Sequence, residues 1–182
     1  MSHNINKQNI FDFLKAESIV IEIAQDSDIE ICESSNDITS SCLQKVILTT
    51  LNNNSTYWKI NPETTTFLQS KNKKVESIIL EHTNDDTLNI ILLEMKSKTV
   101  KPSDIKEKFK NSLSWVYVLL NLLDGKENQK IKVYGILVAQ KNKNWNENDT
   151  LNILSSTSIR YKKKSFYTTN TSIDIPINNL LS

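Results

Sequence analysis

Glycine is nearly missing from this chain: there are two in 182 residues, Gly125 and Gly135. Conventional glycine turn signals are therefore almost absent, and element boundaries rest on polar clusters such as Asn52-Asn53-Asn54. Cysteine is equally scarce. Cys32 and Cys42, with no second pair, fit neither a disulfide framework nor a zinc site, and the expectation for both is packing. Arginine occurs once, at Arg160, which limits bidentate readout of bases or phosphates and leaves lysine point charges to do that work. No apolar run reaches the length a membrane span needs; the most apolar helical stretch is WVYVLLNLL, at 115–123. The first residues, MSHNINKQNIFDFLK, carry no apolar signal-peptide core, so the reading is an intracellular, cytoplasmic protein with no membrane partner.

What is present is an ordinary globular composition, 38% hydrophobic and 24% charged, in a chain sized for one domain over 1–182. The net charge of +1 hides an asymmetry. Residues 1–95 hold 7 Lys/Arg against 14 Asp/Glu, whereas residues 96–182 hold 15 against 7. A basic face for phosphates, an acidic site for cations, or pairing between the halves would each produce it.

Along the chain, a short helix is expected near Asn9–Ala16, then a strand over 18–24 (SIVIEIA). Residues 42–51 (CLQKVILTTL) are ambiguous between helix and strand, and 55–60 (STYWKI) read as extended. Two apolar runs follow, KVESIILE at 74–81 and NIILLEMK at 89–96, joined by the polar link HTNDD, which suits an antiparallel hairpin. Next comes the strongest helix. Pro102 fits its first turn and Gly125 its C-terminal cap, while Ile105, Phe109, Leu113, Val116, Leu120 and Leu123 form one apolar stripe meant for the sheet. KIKVYGILVA at 130–139 is another buried strand, with a possible parallel return across the helix. SIRYKKKSFYTT and SIDIPI close the chain as edge strands. The fold class is α/β, a central mixed sheet flanked by helices.

In a strand side chains alternate faces, so Glu94 and Lys96 share one face while Leu93 and Met95 take the other. The hairpin would bring Glu76 across from that strand end. Two carboxylates and a lysine form a chemical unit: the oxygens suit a hard Mg²⁺ ion, and the amine orients or deprotonates a water. A phosphodiester is its natural target. Competing readings are a strand end emerging into solvent for Glu94 and Lys96, and pairing with Lys73 or Lys74 for Glu76. His82 beside Asp85 and Asp86 is read as a solvated turn histidine rather than a second metal locus, and Trp58, Trp115 and Tyr117 as packing groups.

An acidic residue in one strand, Glu-X-Lys ending the next, then a helix and a strand, resembles the PD-(D/E)XK nuclease superfamily. The pattern is similar to small bacterial members reading KCDYLI…FIELK, for which KVESII and LLEMK stand here, over about residues 74–139. The resemblance implies a restriction-endonuclease-like core and a metal-dependent endonuclease hydrolysing nucleic acid, DNA more than RNA. It assigns Glu76 and Glu94 as ligands of Mg²⁺ or Mn²⁺ and Lys96 as the third catalytic group, with Glu17 as a possible additional acid. It also implies a homodimer, since cutting both strands takes two sites. Glutamate at 76 replaces the usual aspartate, and there is no Pro-Asp dipeptide. The geometry would then be shifted or the activity lost, and the alternative is an inactive nuclease-like fold serving as a binding or regulatory module. Lys106 and Lys110 on the helix, with Lys162 and Lys163 in the RYKKK run, are candidates for contact with a phosphate backbone. The run also reads as a charged edge that blocks aggregation.

Overall fold

A computed structural model of the chain describes residues 15–16, 20–24, 27–32, 43–49, 52–60, 62, 73–85, 87–96, 102–122, 130–140 and 161–182. Strands β1 (Val20–Ile23), β2 (Ile29–Cys32), β3 (Lys45–Thr49), β4 (Ser55–Ile60), β5 (Ser77–Thr83) and β6 (Thr87–Lys96) precede helix α1 (Pro102–Leu122). Strands β7 (Lys130–Gln140), β8 (Tyr161–Thr168) and β9 (Ser172–Pro176) and the short helix α2 (Ile177–Leu181) follow it. The chain is mixed α/β, and most of its described structure is sheet.

A six-stranded sheet runs in the order β1-β4-β5-β6-β7-β8. Its first four strands are antiparallel neighbours, whereas β6, β7 and β8 are parallel. The β5–β6 hairpin closes at Asn84-Asp85, where Thr83 Oγ1 donates to the Thr87 carbonyl (3.0 Å) and accepts from its N–H (3.3 Å). The Thr83 hydroxyl thus satisfies backbone groups at the turn locally. The parallel return is made by α1 between β6 and β7.

Strand β6 lies inside the sheet and is buried on both faces, which explains its unbroken aliphatic run. Its even-numbered side chains, Leu88, Ile90 and Leu92, pack with Ile78 and Leu80 of β5 against Ile105, Phe109, Leu113 and Val116 of α1. The expected stripe therefore lies on the sheet, with Leu120 partly buried beside it. Leu123 and Gly125 fall outside the described residues, as does most of the expected N-terminal helix, of which Lys15 and Ala16 are helical.

The opposite face differs from the sheet flanked by helices that the sequence predicts. Ile79, Ile91, Leu93 and Met95 pack instead against a second sheet, ordered β2-β3-β9, and against α2. The ambiguous 42–51 segment thus supplies a strand, β3, because Val46 and Leu48 alternate inward toward this core. The same alternation corrects the expectation for Cys32. In β2, Ile29 and Ile31 face the core while Glu30 and Cys32 face outward, so Cys32 is an exposed free thiol. Cys42 lies outside the described residues. Strand β8 is an edge of the large sheet and β9 an edge of the small one. Among the described residues no helix is long and apolar enough to cross a membrane.

Candidate functional site

The last pair of the β5–β6 ladder is Ser77 with Leu93, so one step outward along the same register matches Glu76 with Glu94. Both carry the parity of the helix-facing row, as does Lys96. From α1, Lys108 reaches into the gap between the two carboxylates. Its Nζ lies 2.8 Å from Glu94 Oε1 and 3.4 Å from Glu76 Oε1, and Lys96 Nζ lies 2.6 Å from the same Glu94 oxygen. These four side chains form one cluster beneath the helix.

The cluster is not a solvated strand end. Glu94 is fully buried and Glu76 is 7% exposed. The Lys96 and Lys108 side chains each keep 14%, enough to connect the cluster with solvent. Both ammoniums lie at ion-pair distance from Glu94 Oε1, and Oε2 has no donor among the described residues. Burial pushes the Glu94 carboxyl above the usual carboxylate range, opposed by the Lys96 and Lys108 charges.

A polar flank of α1 fixes Glu76. Lys73 Nζ pairs with Asp104 (2.8 Å) and Glu107 (3.6 Å), while Asn111 Nδ2 donates to the Lys73 carbonyl (3.1 Å). The Val75 N–H donates to the fully buried Ser112 Oγ (2.9 Å). With Lys108 on Glu76, these helix residues recur at spacings of three and four, one line along the cylinder gripping segment 73–76. The ion pair seen for Glu76 runs to Lys108 of the helix. Lys73 serves the helix, and Lys74 donates to the Pro62 carbonyl (3.3 Å).

Lys108 escaped the sequence reading, which singled out its neighbours Lys106 and Lys110. At about 100° per residue, those two fall on the other side of the Ile105–Phe109–Val116 stripe from Lys108. Lys106 is half-buried, Lys110 is exposed, and neither enters the cluster. The available signal was the polar spacing of Asp104, Lys108, Asn111 and Ser112 along one border of the stripe. Lys162 and Lys163 sit on β8 opposite Tyr134 and Gly135, away from the cluster in register. Glu17 lies outside the described residues. His82 pairs with Thr56 and Leu88 within the sheet, and Asp86 is outside the described residues. Trp115 is core and Trp58 packs against it, whereas Tyr117 is 37% exposed.

Among the described residues no group of three or more His, Cys, Asp or Glu could hold a metal ion. Two carboxylates still suit Mg²⁺, which is bound through one or two of them and retains waters. The donorless Oε2 of a buried glutamate is the observation that fits a missing cationic or hydrogen-bonding partner. Comparison with protein-family models, with curated proteins and with solved structures gives no match.

Proposed function

We propose that this chain is a metal-dependent nuclease hydrolysing phosphodiester bonds, with DNA favoured over RNA, and that its site is the Glu76–Glu94–Lys96 cluster. The observation that carries the reading is the convergence of these three groups on one side of one sheet end, with Glu94 Oε2 buried and without a donor among the described residues. The β4-β5-β6 meander, followed by α1 and a parallel β7, supports a restriction-endonuclease-like core. Glu76 and Glu94 would hold Mg²⁺ or Mn²⁺, which when bound polarises a phosphoryl oxygen and neutralises developing charge. Lys96 anchors its ammonium on Glu94 at the mouth of the cluster, where its remaining N–H groups can hold the attacking water or a phosphate oxygen. The exposed helix lysine Lys110, with Lys106, Lys162 and Lys163, is assigned to the nucleic-acid backbone.

Incubating the purified chain with DNA or RNA and Mg²⁺ or Mn²⁺ tests this. Cleavage is expected, and Glu94→Ala or Lys96→Ala should abolish it; cleavage unchanged in both removes these residues from the mechanism. One observation favours a second reading, a non-catalytic binding or regulatory module. Glu76 and Glu94 are matched in number by Lys96 and Lys108, so the cluster is charge-balanced without a metal. Calorimetric titration separates the two: a saturable Mn²⁺ site lost in Glu76→Ala supports the nuclease, and no heat supports the module.

A further inference from the structure

We propose that Lys108 is a built-in counter-ion of the carboxylate pair, which must withdraw before a divalent cation can bind, so that this helix lysine sets the affinity of the site. The inference rests on the metal-site reading above. Lys108 Nζ stands between Glu94 Oε1 and Glu76 Oε1, at 2.8 and 3.4 Å. A cation bridging the same two carboxylates would occupy the same gap, and like charges that close in a desolvated pocket repel strongly. Binding therefore becomes an exchange of one positive group for another.

The two lysines differ in what they span. Lys96 meets Glu94 from the end of β6, where β7 pairs it with Ala139, whereas Lys108 bridges both carboxylates. Lys108 enters from the flank of α1 on a four-carbon stem, and its side chain already touches solvent. One turn back on the same flank is Asp104, which already pairs with Lys73 at 2.8 Å and stands at the spacing where a lysine and an acid meet on a helix surface. Withdrawal thus requires a rotamer change and no movement of the helix. It would also vacate the gap between Glu94 Oε1 and Glu76 Oε1, leaving Lys96, at 2.6 Å, as the remaining counter-ion of Glu94.

The test is Mn²⁺ affinity by calorimetry on the full chain, independent of cleavage. Lys108→Met is expected to bind Mn²⁺ at least tenfold more tightly than wild type. Lys108→Arg, which keeps the charge, should bind no more tightly than wild type, and adding Glu94→Gln to Lys108→Met should remove binding. Circular dichroism checks folding, and Lys108→Gln, which retains a donor for Glu94, replaces the methionine variant where that variant is unfolded. Equal affinity in wild type and the neutral variant, with both lost on Glu94→Gln, overturns the inference and leaves the metal site standing. Tight binding by Lys108→Arg also overturns it. Absence of Mn²⁺ heat in every folded variant overturns the metal-site reading and the inference together.

Discussion

Replacing Glu94 and Lys108 together by methionine should leave the protein as stable as before or make it more stable, while eliminating the proposed Mn²⁺ binding and cleavage. Glu94 is fully buried. Burial of a carboxylate costs several kcal/mol even after relaxation, and an ion pair offsets this only with good geometry. Here both ammoniums crowd on one oxygen, and the other oxygen has no donor among the described residues. An unmet buried acceptor of this kind costs about 1–3 kcal/mol. Methionine has a similar length, and its burial beside the apolar row of Leu92 and Ile90 contributes about 1.5–3 kcal/mol. The partners left behind are tolerable. Glu76 and Lys96 remain, one of each charge, and the Lys96 stem is long enough to carry its ammonium toward water. The expected change is between about 0 and 3 kcal/mol in favour of the folded state. For a chain of this size each kcal/mol raises the melting temperature by about 2–4 °C. Urea unfolding followed by circular dichroism, with a thermal scan beside it, measures both. A loss of about 2 kcal/mol or more would refute the reasoning. The ion cluster would then be a net stabiliser, and the presence of a buried glutamate would be explained by folding alone.

Two further outcomes follow from the same geometry. Ser112→Ala removes the acceptor of the buried Val75 N–H, so stability should fall by about 1–3 kcal/mol. Faster hydrogen exchange at that amide and weaker Mn²⁺ binding, through a loosened Glu76, should accompany it, whereas unchanged exchange would show that the helix does not hold this segment. Tyr57 donates to Glu81 Oε1 (2.7 Å), and its phenol is pushed up to about 12 from an ordinary 10.0, by burial first and then by that carboxylate. A folded value above the unfolded one means a contribution complete below pH 10 and lost as the pH rises toward about 12. Phenolate absorbance should therefore show a late-titrating tyrosine that moves to lower pH in Glu81→Gln; a midpoint near the ordinary value would refute the assignment.

The elements that carry the site were readable because their patterns are local. The alternation along 89–96 places Glu94 and Lys96 on one face whatever surrounds the strand, and the short polar link before it leaves one economical way to lay Glu76 alongside. The stripe on α1 was equally plain, since its period of three and four has no strand counterpart. Less visible was segment 42–51, a short apolar run whose periodicity fits both helix and strand until a core exists on one side of it. Cys32 was misjudged for a related reason. Cysteine is a small apolar residue by type, but its parity with Glu30 turns it outward.

Chain order and side-chain alternation were sufficient to gather two acids and an amine at the end of β5 and β6. They could not choose among Lys106, Lys108 and Lys110, because that choice depends on how α1 rolls on the sheet. Ser112 and Asn111 set the roll by gripping segment 73–76, a contact between residues about 37 positions apart for which no local pattern exists. Nor could they show that a second sheet covers the far face of β6, since an apolar row is equally satisfied by helix or strand. Packing made both choices, and with them it placed a lysine between the two carboxylates.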